Sequence, residues 1–256
     1  MKSLYAFTKK EVMDQLRSNK VLVLGIIFII FGIMNPAIAK LTPWLFEKMS
    51  DSLAESGIQV GKITVDSLMS WEQFYKNIPM GLIAFILLES SIFTKEYQSG
   101  TLVLSLTKGL KRHNVVIAKT IVLLLLWTIC FWMCFGITYV YNDFYWDNSI
   151  ADNLLFASFC WWFFGIWVII VMVLVSTLVQ SGSSVLLGTG GIVFGIYLIS
   201  MIPKVDKYME TMLTSGYSLI TKAYKVSDYS VALIVTLIVD IAFLVSSLII
   251  FNKKRL

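Results

Sequence analysis

The sequence predicts an all-α polytopic membrane protein. It has six transmembrane helices, an N-terminal amphipathic interfacial helix, and a broken helical hairpin between spans five and six. Three observations carry this. Only 14% of the 256 residues are charged while 57% are hydrophobic, against about 25% charged in an ordinary soluble domain. Six apolar runs approach the roughly 20 residues that a bilayer core needs as helix. Lys and Arg concentrate in alternate connecting segments, the asymmetry that orients membrane proteins.

The elements follow in order. Residues 1–20 place Tyr5, Val12 and Leu16 on one helical face, with Leu4 and Met13 beside it and Lys9, Lys10 and Arg17 flanking. Such a helix either lies in the headgroup plane and turns into the first span, or is a short cytosolic helix that orients the chain. The first span is 21–39. Its basic front and the Ala37-Ile38-Ala39 triplet have the outline of a cleavable signal. A front of this length carrying two acids favours an uncleaved span instead. Residues 40–77 form an outer loop with a separate amphipathic helix that holds Pro43 in its first turn. The second span, 78–93, starts outside the bilayer at a Ser70–Gln73 capping box and kinks at Pro79.

The third span is 115–139. Residues 140–153 follow as an aromatic, acidic loop with Asp143, Asp147 and Asp152, whose Tyr139, Tyr141, Tyr145 and Trp146 suit an interfacial belt. The fourth span is 154–178 and the fifth 185–202. The outer loop 203–230 reads as two short amphipathic pieces broken at Ser215-Gly216, and the sixth span is 231–251. Residues 1–256 make one transmembrane domain.

Orientation comes from charge. Segments 1–20, 94–119, 179–184 and 252–256 hold thirteen Lys or Arg against three acids. The opposite set holds eight basic residues and eleven acids. Both termini are expected in the cytoplasm, as an even number of spans requires.

Composition excludes several classes. Most basic residues flank apolar runs, where lipid headgroups would lie, so nucleic acid is not the expected partner. Cys130, Cys134 and Cys160 all sit inside apolar runs, unlike a secreted disulfide framework. Cys130 and Cys134 are a helical turn apart, but the single histidine, His113, does not complete a metal site, and packing is the expected role. The stretch GIQVGKIT, 57–64, misses the phosphate-loop pattern in glycine spacing and has Ile63 where a hydroxyl belongs. No catalytic group and no metal-ligand set emerges. The chain is expected to be non-enzymatic.

Two intramembrane acids stand out. Asp240 sits in the middle of the last span, where a carboxylate costs roughly 2.5 to 3.5 kcal/mol on insertion scales. It either contributes to a translocation path or hinge, or pins two helices by a hydrogen bond. Glu89 lies near the cytoplasmic end of the second span and is read as a structural partner of Lys95 or of another helix. In the fifth span, Ser184, Gly188, Gly191 and Gly195 keep a small-residue spacing that allows close helix packing, within the chain or across a dimer.

The longest basic stretch, 95–119, carries five Lys or Arg and one acid. Ser99 or Thr101 could cap a short helix with Leu102, Leu106 and Leu110 on one face, while the alternation of Leu102, Leu104 and Leu106 leaves a strand open. Leucines on a cytosolic loop need a partner surface or the membrane. The stretch FTKEYQSGTLVLSLTKGLKRHNVVIAK resembles the motif after the second span of type-2 ATP-binding-cassette exporter permeases. Glu96, Gly100-Thr101-Leu102, Leu104, Leu106, the basic pair Lys111-Arg112, and Lys119 fall on its pattern. The family usually has proline before the basic pair, and this chain has Gly109.

That resemblance implies a coupling segment within 94–114. In it Glu96, Tyr97, Ser99, Gly100, Thr101, Leu102 and Leu106 would dock into a separate ATPase subunit, which would bind the ATP and Mg. It also implies a second permease copy, a homodimer, in a bacterial cell membrane. The cargo would be amphipathic or hydrophobic, with a peptide toxin or bacteriocin favoured over drugs or lipid-like molecules. A channel or scaffold without an ATPase is the competing reading.

Overall fold

Lipid tails are as apolar as leucine, so helices in a bilayer are held together by close packing and interhelical hydrogen bonds. The chain follows that rule. The computed structural model describes residues 2–55, 65–107, 109–203 and 205–254. Among them the regular elements are helical. They are α1 (Lys2–Arg17), α2 (Lys20–Glu55), α3 (Ser67–Glu89), α4 (Thr94–Gln98), α5 (Thr101–Thr107), α6 (Arg112–Tyr145), α7 (Leu154–Leu178), α8 (Gly182–Ser200), α9 (Gly216–Ile220) and α10 (Ser230–Lys253), with short 3-10 turns between. Six segments are long and apolar enough to cross a membrane: Lys20–Lys48, Ser67–Gln98, Arg112–Tyr145, Leu154–Leu178, Gly182–Ser200 and Val226–Lys253. The chain is thus an all-α, multi-pass membrane protein. Stretch 57–64 lies outside the described residues.

Two expectations about helix ends are corrected. The amphipathic piece after residue 40 is no separate helix, because α2 runs unbroken through Pro36 and Pro43 to Glu55. Proline at 36 removes the amide that would bond the Gly32 carbonyl. The Thr138 hydroxyl of α6 donates to that carbonyl at 3.1 Å. Asn35 donates to the same hydroxyl at 3.0 Å, and Asn77 of α3 donates to Asn35 at 2.8 Å. One polar chain therefore ties α2, α3 and α6 and lets the helix continue. The start of α3 is set by Asp66, whose carboxylate accepts the Met69 amide at 3.2 Å, and not by the Ser70–Gln73 pair. Ser70 is already inside the helix and fully buried.

The helices sort by burial. α7 is the most enclosed span and α8 the least. α7 packs against α10, α8 and α6, while α2 packs on α3 and α6. Aromatic edges fill the interior, with Trp127 meeting Phe28 at 5.9 Å and Phe85 at 5.6 Å between ring centroids. The three cysteines are free and buried in this packing.

α10 is polar inside and apolar outside. Its buried positions are Ala232, Thr236, Asp240, Ser247 and Phe251, while Ile234, Ile238, Ile241 and Ile249 are exposed on the other side. That inversion is the pattern of a helix whose solvent is lipid. Both termini lie at one end of the bundle. Arg112 bonds the Phe251 and Lys254 carbonyls, and Asn114 bonds Ser3.

Candidate functional site

The termini end gathers the residues singled out between the second and third spans. Three left-handed residues shape the region. Asn19, at φ 58°, breaks α1 from α2; Gly100, at φ 67°, separates α4 from α5; Gly109, at φ 88°, ends the turn before α6. Proline is locked near −65°, so the proline usual in the resembled motif could not adopt the conformation found at 109. Glycine stands there because the turn is built with the opposite hand.

α1 lies across this end with Tyr5 and Leu16 exposed and Phe7, Glu11 and Gln15 buried. The inward face is therefore largely polar, and it meets charge. Lys119, on the first turns of α6, has a side chain only 2% exposed and pairs with Glu11 at 2.7 Å and Glu96 at 3.0 Å. It also donates to the Ile92 carbonyl at 3.0 Å. Lys10 completes the knot through Glu96 at 2.5 Å, Glu11 at 2.9 Å and Asp14 at 3.0 Å. Burial works to lower the Lys10 pKa, but the Glu96 and Glu11 carboxylates outweigh it and hold the ammonium above its ordinary range. Two lysines thus face the buried Glu11 and the partly buried Glu96, the pairing under which buried charge is tolerated.

A second, smaller link joins α1, α2 and α3. Glu89 is fully buried, accepts from Gln15 at 2.6 Å, and stands 3.6 Å from Lys20. The expectation that Glu89 has a structural partner holds, but that partner is α1 and the start of α2, not Lys95. The cation is supplied by a residue far away in sequence, which no local pattern could show.

The leucine face of α5 also has its partner within the chain. Leu102 is 1% exposed, and Leu106 and Leu110 pack partly buried on the core. Tyr97 turns inward as well. Its ring stacks on Phe251 at 6.3 Å and its hydroxyl donates to the Ser176 carbonyl at 3.3 Å. Lys254 caps that ring at 4.3 Å and bonds the last carbonyls of α7. Glu96, Tyr97, Leu102 and Leu106 therefore anchor the segment to the helix bundle.

What remains turned outward is Ser99, Thr101, Val103, Leu104 and Thr107, with Leu104 63% exposed. The leucine pattern of the sequence does not point to Val103, which is 44% exposed. The signal was its i+1 offset from a leucine that the fold needed inside. A cleft of about 340 Å³ opens beside this lip, lined by Tyr97, Gln98, Val103, Gln180 and Ser181 among others.

In the fifth span, a side chain at Gly188 would meet Val175 of α7 at 2.6 Å, so this glycine serves packing within the chain. Gly191 and Gly195 meet nothing within 4 Å. Ser184 is engaged by the capping serine Ser181 at the start of α8. The spacing marks two faces: one is used by α7 and the other is open. Asp240 lies far from the charge knots, on the inward face of α10, with neither carboxylate oxygen hydrogen-bonded.

A family model described as "ABC-2 family transporter protein" matches residues 5–256. No curated protein matches the chain.

Proposed function

The chain belongs to the ABC-2 transporter family and is a permease subunit of an ABC transporter, and from that premise we propose how it is driven and what it carries. Permeases of this family normally work with an ABC ATPase subunit. The lip Ser99, Thr101, Val103 and Leu104 is the surface that meets that ATPase, at the cytoplasmic side. The observation carrying this is the asymmetry of the α4–α5 segment. One face is clamped by Glu96, Tyr97 and Leu102 to α1, α6 and α10, while the other holds exposed apolar residues. A segment fixed on one side and apolar on the other can pass a push into three helices without buckling.

The partner ATPase supplies ATP and Mg chemistry, and its closure shifts the permease between inward-open and outward-open arrangements. Two copies pair, with Gly191 and Gly195 of α8 in the open face that a second copy covers. The cargo is amphipathic or hydrophobic, a peptide toxin or bacteriocin. An apolar groove of about 420 Å³ between α3, α7 and α8, lined by Leu82, Trp161, Phe164, Val168 and Phe194 among others, suits its apolar part. Asp143, Asp147 and Asp152 at the far end suit a cationic part.

The test is co-expression with the ATPase subunit. Leu104→Glu should leave the permease folded while abolishing ATPase co-purification and transport. Unchanged recruitment and transport would remove the lip from the mechanism, and transport without any ATPase would favour a channel. A panel of peptides, drugs and lipid-like molecules in the same membranes identifies the cargo class.

A further inference from the structure

At the end of the bundle opposite the termini, the chain between α8 and α10 folds back onto the helices. The 3-10 turn Glu210–Thr214 is buried, with Leu213 at 0% exposure, and it packs against α7, α8 and α10. α9 continues it with Leu219 and Ile220 each at 1%. Two bonds pin this plug at its middle. Trp161 of α7 donates to the Thr214 carbonyl at 3.0 Å, and Tyr229 donates to the Ser215 carbonyl at 2.8 Å.

The plug brings an acid to an acid. Glu210 is 3% exposed, and Asp240, on the α10 helix against which this turn packs, is 4% exposed. Both oxygens of Asp240 are buried without a hydrogen-bond partner. The group that acts on Asp240 electrostatically is Glu210, and burial pushes the Glu210 carboxyl above its usual range.

Among the described residues no cation pairs with either acid. α7 carries no charged residue, only the Cys160 thiol, and α8 offers Tyr197 beside Thr214. In α6, Arg112 is bonded to the Phe251 and Lys254 carbonyls and Lys119 is held by Glu11 and Glu96. The flanking turns hold Asp206, Lys207 and Tyr208, and Asp228 and Tyr229, with the Asp228 carboxylate taken by the Lys225 amide at 2.9 Å. α9 adds Tyr217. Among the described residues no three His, Cys, Asp or Glu groups converge to hold a metal ion.

We infer that Asp240 and Glu210 form a proton-binding site that locks the plug over the far end of the bundle. Two buried acids within electrostatic reach of each other in an apolar interior are not both charged, so the pair retains at least one proton while the plug is seated. Lifting the plug admits water, the proton leaves to bulk water, and the resulting repulsion keeps the plug away. The site therefore links plug position to pH at that face, independently of which cargo or ATPase the permease uses.

The experiment uses the purified full chain in lipid nanodiscs. Infrared titration should show a protonated-carboxyl band at neutral pH that is lost on alkalinisation and is missing in Asp240→Asn. In Glu210→Gln the midpoint of that band should fall by about one pH unit or more, because the like charge is gone. Hydrogen exchange over residues 209–220, corrected for its intrinsic pH dependence, should accelerate in the wild type across the same midpoint and stay slow in Asp240→Asn. A band that survives in Asp240→Asn would overturn the proposal, as would equal exchange in both proteins. So would a titration that follows sodium concentration rather than pH.

Discussion

The two ends of the bundle treat buried carboxylates in opposite ways. At the termini end, Glu11 and Glu96 are matched by Lys119 and Lys10 at 2.5 to 3.0 Å, and Glu89 is bonded by Gln15. At the far end, among the described residues, Asp240 has neither a cation nor a hydrogen bond and feels the charge of Glu210 instead. A matched knot has one low-energy arrangement, because removing any member strands charge in a low-dielectric interior. An unmatched acid has two, protonated and seated or ionised and hydrated. On the proposed reading, the first end transmits force without changing shape and the second changes state.

Perturbing the hub of the matched end should have the largest effect. Lys119→Met leaves Glu11 and Glu96 sharing only the half-exposed Lys10 and should destabilise the purified permease by up to about 3 to 5 kcal/mol, read as thermal or chemical denaturation in detergent. Adding Glu11→Gln and Glu96→Gln should recover much of the loss, since all the stranded charge is then gone. If Lys119→Met alone costs nothing, the two ends do not differ in the way described.

The smaller effect belongs at the unmatched end. Asn mimics a protonated Asp, so Asp240→Asn should change stability at neutral pH by less than about 1 kcal/mol in the same assay. A loss as large as that of Lys119→Met would mean that Asp240 is ionised and paired, and the contrast would fail.

The least effect is expected at Asp147, a solvent-exposed cap whose carboxylate accepts the Ser149 amide at 2.8 Å and its hydroxyl at 2.5 Å. Those bonds hold its pKa below the usual carboxylate range. The cap is therefore present above the unfolded-state pKa and lost as pH falls through the lowered one. Asp147→Asn should flatten a small acid-side slope in stability and leave the neutral value nearly unchanged. It calibrates what an exposed acid contributes against the buried ones.

Span boundaries show where reading along the chain succeeds. The sequence predicts a span at 154–178, and α7 has the same bounds. It predicts a first span at 21–39, yet α2 runs to Glu55. Hydropathy reports where lipid ends, and a helix stops only where its hydrogen bonding is interrupted. Thr138, about a hundred residues away, repairs the bond that Pro36 breaks. The candidate site behaved similarly. The motif at 96–106 marked the α4–α5 segment, but it could not say that Leu102 turns in and Leu104 out, because both fit a short helix equally well.

Composition, apolar run length and the placement of Lys and Arg determined by themselves that this chain is a six-span helical membrane protein. Those properties answer to the bilayer, which acts on each segment separately. The tertiary structure alone decided which buried charges are neutralised. It placed Lys119 between Glu11 and Glu96 and, among the described residues, left Asp240 without a cation. Coulomb energy falls with distance in space, and neighbours in space here are often a hundred residues apart in the chain.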